Sequence, residues 1–183
     1  MIVASWIQMA EAVPITYLGT LQSAVPVTDT VPNGGIFDPL TADFWRFTLA
    51  SGTQLTITGH RLQADLDSSF WVFRGTFTDT DEFGLGLDTI ASLAFADDDI
   101  PAPPGLDGPF SDPQVTLTLP AGDYTVAFVS HFSSGAGPFA YCLELNGPAF
   151  PCERQVPLPA TLALVGLGAG MSGMMTLLRN RGG

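Results

Sequence analysis

The chain has 183 residues, 46% of them apolar and 13% charged, which suits one ordinary domain with end segments and a proper core. Six Arg and no Lys stand against eighteen Asp and Glu, a net charge of −12. That balance excludes nucleic acid as a partner, because phosphate-backbone binding needs a positive footprint; the surface attracts cations instead.

Residues 1–12, MIVASWIQMAEA, read as the remainder of a signal peptide. A short apolar run ends at Ala10-Glu11-Ala12, the small-x-small pattern of a signal-peptidase site. No Lys or Arg precedes the run, so the expectation is a start inside a longer leader, or a truncation. The alternative is a disordered or strand-forming N-terminus.

Residues 13–146 read as β throughout. In DFWRFTL, Trp45, Phe47 and Leu49 share one face, with Phe44, Arg46 and Thr48 on the other. TQLTITG alternates Leu55 and Ile57 with Thr. SFWVFR is apolar on both faces, as a central strand is. QVTLTL turns Val115, Leu117 and Leu119 inward, DYTVAFVS offers Tyr124, Val126 and Phe128, and FAYCLEL offers Phe139, Tyr141, Leu143 and Leu145. Cys142 and Glu144 then face away from the core side. VPNGG, ASG, PAPPG, LPAGD and SSGAGP supply the turn residues between these runs. No stretch here has a capped 3.6-residue period. The fold class that follows is mainly β: an antiparallel, jelly-roll-like β-sandwich.

Cys142 and Cys152 are the two cysteines. Neither has a partner at zinc-finger spacing. In an exported protein they would pair, closing a short loop for about 2.5–3 kcal/mol. The alternative is two buried free thiols.

The acidic turn ADDDIPAPPGLDGPFSDP holds the candidate site. On an extended chain Asp97 and Asp99 converge while Asp98 faces away, and Asp107 and Asp112 return through the Pro-rich loop. Clustered carboxylates repel unless a hard cation with oxygen ligands joins them, and calcium takes six to eight such oxygens. Asp65 and Asp67 form a second alternate pair. The alternative is a solvated loop in which Asp serves as a turn former. The spacing is not an EF-hand.

Catalysis finds little support. HFSSG, around His131 and Ser133, is not the GxSxG elbow, and a triad here would take nucleophile and base from neighbouring residues. A Cys142–His131 pair fails if Cys142 is oxidised. Trp45 and Trp71 lie in strand patterns and read as core, not as a sugar cleft. FGLGLD and GLGAG are too short for nucleotide loops. The expectation is a noncatalytic protein; the alternative is a secreted hydrolase accessory domain or a weak hydrolase.

The order DFWRFTLASGTQLTITG, DLDSSFWVFRG, ASLAFADDD, VTLTLPAGDYTVAF, FAYCLEL resembles the bacterial pre-peptidase C-terminal β-sandwich module over roughly residues 40–146. Leu119–Tyr124 matches its LPAGxYxV element, and Asp97–Asp99 its acidic turn. The departures are Asp97, where Asn is common, and the insert FTDTDEFGLGL after the central strand. The resemblance implies a noncatalytic accessory module of secreted proteins that aids surface or polymer attachment.

Residues 147–155 form a linker rich in Pro and Gly, and residues 156–183 close the chain. From 162 to 178 no residue is charged, enough for a helix of about 25 Å, the short end of a membrane span. Four glycines make it a poor soluble helix. Arg179 and Arg181 follow and would stop transfer with the C-terminus inside. Gly166 and Gly170 form a GxxxG pair.

This Pro motif, apolar helix and Arg end resemble the PEP-CTERM sorting signal in its VPLPA variant, which Val156, Pro157, Leu158, Pro159 and Ala160 match letter for letter. The departure is a basic end of only two Arg, split by Asn180. The resemblance implies a bacterial exported protein, held in the inner membrane as a single-pass precursor. An exosortase would then cut it near the Pro motif and hand it to the cell surface or matrix. Such proteins are common in bacteria that make exopolysaccharide, which is an expected partner along with calcium.

Overall fold

A computed structural model describes residues 12–103, 105–106, 109–131 and 133–147. The chain divides into two units, Met1–Pro151 and Cys152–Gly183, and every described residue belongs to the first. Nearly all of the leader, most of the linker, Cys152, Val156–Ala160, the apolar run 162–178, Arg179 and Arg181 therefore lie outside the described residues, as does Asp107. Among the described residues no helix is long and apolar enough to cross a membrane.

Nine strands and one short 3-10 helix make up the described unit. The strands are β1 (Tyr17–Thr20), β2 (Val27–Val31), β3 (Asp43–Leu49), β4 (Thr53–Arg61), β5 (Ser68–Arg74), β6 (Ala94–Ala96), β7 (Gln114–Leu119), β8 (Gly122–Ser130) and β9 (Phe139–Leu145). They form a five-stranded sheet, β1-β3-β8-β5-β6, and a four-stranded sheet, β2-β9-β4-β7. All six strands expected from alternation are present. The expectation of an antiparallel sandwich needs one correction: β1 runs parallel to β3, with a register irregularity between Tyr17 and Gly19. The remaining strand pairs are antiparallel.

The core lies between the sheets, where the period-2 pattern puts it. Trp45 and Phe47 of β3, Phe70 and Val72 of β5, and Tyr124, Val126 and Phe128 of β8 meet Leu55 and Ile57 of β4 and Tyr141, Leu143 and Leu145 of β9. The Phe128 and Tyr141 rings stack at 3.9 Å, one from each sheet. Trp45 Nε1 donates to the Tyr141 hydroxyl at 2.8 Å, so this buried indole is satisfied across the interface.

A second apolar cluster covers the outer face of the five-stranded sheet. The alternate residues of β3, β5 and β8 are also apolar: Phe44, Trp71, Phe73, Ala127 and Val129. Such a face needs a cover, and the insert after β5 supplies it. Phe77, Phe83 and Leu87 pack down on it, with the Phe83 ring 5.5 Å from Phe44 and 5.3 Å from Phe73. The 3-10 helix Thr80–Phe83 that carries Phe83 starts with a capping box. Asp79 accepts from the Asp81 N–H, and Glu82 reaches back to the Asp79 N–H.

Candidate metal centre

Three strand ends bring Asp67, Asp97 and His131 together. Asp67 precedes β5 and His131 follows β8; the His131 N–H donates to the Asp67 carbonyl at 2.7 Å and carries the β5–β8 ladder one step further. Asp97 follows β6, which pairs with β5. Side chains alternate along each strand. Asp67 therefore shares the outer face of β5 with Trp71 and Phe73, and His131 that of β8 with Ala127 and Val129, while Asp97 stands in the bend just past β6. The Phe95 ring contacts Trp71 at 4.5 Å.

His131 Nδ1 stands 3.3 Å from Asp97 Oδ2 and 3.9 Å from Asp67 Oδ2. One ligand atom from each residue fits within a 4.8 Å span, the one such group of three among the described residues. The Asp67 side chain is 4% exposed, that of His131 17% and that of Asp97 28%, so the group is rooted in the protein and open on one side. Burial holds the Asp97 carboxyl above the usual range; the His131 imidazole works against this, and the Asp67 and Asp98 carboxylates reinforce it. Ser69 is fully buried on the same face of β5, and its Oγ has no hydrogen-bond partner among the described residues. The β5–β6 pairing ends at Phe70–Ala96, so Ser69 and Asp97 each lie one residue beyond its last pair.

The expected quartet of Asp97, Asp99, Asp107 and Asp112 is not the set that converges here. The chain bends at Asp97 and Asp98 instead of staying extended, so alternation no longer assigns faces. Asp99 Oδ2 accepts the N–H groups of Asp97 and Gln114, both at 3.1 Å, and Asp98 Oδ1 that of Ser111 at 2.6 Å. These two carboxylates pin the loop. Asp112 is fully buried, with Oδ2 3.2 Å from His60 Nδ1 and Oδ1 3.6 Å from Arg61 Nε. Of the pair Asp65 and Asp67, Asp67 joins the site, while Asp65 Oδ1 accepts from the Ser134 hydroxyl at 3.3 Å.

Cys142 and Glu144 do face away from the core side, yet both are buried. Glu144 Oε1 lies 3.4 Å from His60 Nε2, so His60 sits between two carboxylates. The Arg61 guanidinium donates to the Phe110 carbonyl beside them. Cys142 is disulfide-bonded; Cys152 lies outside the described residues. Ser133 Oγ accepts the Asp67 N–H at 2.9 Å and the Ser130 hydroxyl at 3.1 Å, the contacts of a loop-fastening serine.

Sequence reading missed His131 and Asp67 as companions of Asp97. A signal was present: in DLDSSFWVF and TVAFVSH, Asp67 and His131 each continue the outward set of a strand to its end. No protein-family model matches the chain, and no curated protein matches it. Among solved structures, the chain is similar to the pre-peptidase C-terminal domain of a collagenase from Bacillus anthracis, with 11% identity, 72% of this chain and 97% of that chain covered, and a TM-score of 0.44. It is also similar to CorA, a surface-associated copper-binding protein important in copper acquisition by Methylomicrobium album BG8, with 14% identity, 72% and 98% covered, and a TM-score of 0.48.

Proposed function

We propose that the chain is an exported, noncatalytic bacterial surface or extracellular-matrix protein. An exosortase sorts and processes it through the C-terminal VPLPA signal, and the β-sandwich serves calcium-dependent adhesion or exopolysaccharide association. Export and sorting rest on the match of Val156–Ala160, the uncharged run 162–178 as an inner-membrane span, and Arg179 and Arg181 as its stop. Pairing of Cys142 with Cys152, in an oxidising compartment, fits the same reading.

The single observation that carries the binding role is the convergence of Asp67, Asp97 and His131 at the open end of one sheet face. A noncatalytic role is supported by the other groups that could do chemistry. His60 is enclosed by Asp112 and Glu144, and the Ser133 hydroxyl is spent on the backbone and Ser130.

Mass spectrometry of the mature C-terminus tests the sorting half. The expected species ends near Val156–Ala160; a chain still ending in Gly183 refutes it in favour of a plain membrane anchor. Retention of the mature protein on the producer's own exopolysaccharide, with and without millimolar calcium, tests the other half. Equal retention with Asp97→Asn and the native protein excludes a cation at this site from the binding.

A further inference from the structure

We infer that Asp67, Asp97 and His131 form a site for a divalent transition ion of the zinc or copper(II) class, in preference to calcium. This rests on the reading of the group as a cation site and names the cation. An imidazole nitrogen and two carboxylates are the donor set of borderline metals, whereas calcium needs six to eight oxygens. Among the described residues no further carboxylate joins the group: Asp98 and Asp99 each hold loop N–H groups and Asp112 is buried against His60 and Arg61. The span of 4.8 Å lets three ligand atoms close on one small ion.

Ser69 supports the assignment independently. A buried hydroxyl without a partner among the described residues is costly, and this one stands two residues from Asp67 on the same face of the chain, where it can donate to a ligating carboxylate. Three protein ligands leave coordination positions open, on the side where Asp97 and His131 meet solvent. An oxygen of a bound polymer has access there.

The test uses the full chain in detergent, free of any affinity tag, titrated separately with zinc, copper(II) and calcium. The chain has two histidines, and His60 is buried between Asp112 and Glu144. Copper(II) at this site should therefore show coupling to one imidazole nitrogen by electron paramagnetic resonance, and His131→Gln should abolish it. Loss of an outer partner costs about 10- to 100-fold in affinity, so loss of a ligand in His131→Gln or Asp97→Asn should cost about 100-fold or more for zinc, and Ser69→Ala about tenfold. Thermal melts of the metal-free variants establish that each is folded; Ser69→Ala, which spares all three ligands, keeps the test open if the others are not. Calcium binding that outlasts His131→Gln, with no zinc or copper site, overturns the metal class and leaves a cation site standing. Nitrogen coupling that persists in His131→Gln overturns the ligand set. No heat with any of the three ions removes both the class and the cation-site reading.

Discussion

Asp43 is a carboxylate whose removal should stabilise the protein. It opens β3 on the interior side, against the Tyr141 hydroxyl, and its Oδ2 is buried without a hydrogen-bond partner among the described residues. Burial is the main cause that lifts its pKa from 3.8 to about 6; Tyr141 opposes the lift and the Asp29 charge adds to it. A folded pKa above the unfolded one means that the native state binds the proton more tightly. Stability from this group is thus greatest in acid, falls as pH rises between about 4 and 6, and stays low above. A lift of about two units at about 1.4 kcal/mol each sets a ceiling near 3 kcal/mol. The carboxyl is partly open to water, and screening brings the working figure to about 1–1.5 kcal/mol. Asparagine keeps the shape and cannot ionise. Urea midpoints of Asp43→Asn and the native chain, taken from about pH 4 to about pH 7, should coincide at the acid end and diverge to about 1–1.5 kcal/mol in favour of the variant. A pH-independent difference, or a less stable variant at neutral pH, refutes the reasoning.

Three further changes probe the packing. Gly59→Ala in β4 would set a methyl 2.8 Å from the Phe128 ring and 3.0 Å from Pro113 Cγ; overpacking of this kind should cost about 1–3 kcal/mol in chemical denaturation. His60→Leu leaves Asp112 and Glu144 buried without the imidazole between them and should cost about 3–5 kcal/mol. Adding Glu144→Leu should recover part of that loss; a double variant as unstable as the sum of the singles would show that the pair is not coupled. Phe83→Ala removes the ring that seals the outer cluster and should cost about 3–5 kcal/mol, with early proteolysis between β5 and β6 as the local readout.

The long strands were legible because their alternation is strong: each of the six puts large apolar groups on one face over two or more alternate positions. β1, β2 and β6 were not, since three to five residues carry too few alternations to stand out. Alternation also says which way a side chain turns but not what lies over it. Phe44, Cys142, Glu144 and His60 all turn away from the inter-sheet core, and all are nevertheless buried, which no local pattern announces. The acidic turn failed for a related reason. Its charges were plain, but their faces depended on an extended backbone that bends at Asp97, so two of the three carboxylates became loop fasteners.

What places the candidate centre is a gradient along one face of a single strand. Reading β5 backwards on its outer side gives Phe73, Trp71, Ser69 and then Asp67: rings that the insert covers, a buried hydroxyl, and a carboxylate at the strand's entry. β8 repeats the course with Ala127, Val129 and His131, and Asp97 follows in the bend just past β6. On β5 and β8 the residues beneath the insert are apolar and those nearer the site are polar. A sheet that merely stopped being covered would turn to scattered solvated groups. Here the three polar ends converge within 4.8 Å, with Asp67 almost closed off from water, which is costly for two carboxylates unless positive charge joins them. A divalent ion of the proposed class would supply that charge, and nitrogen and oxygen donors gathered at one point are what such an ion takes.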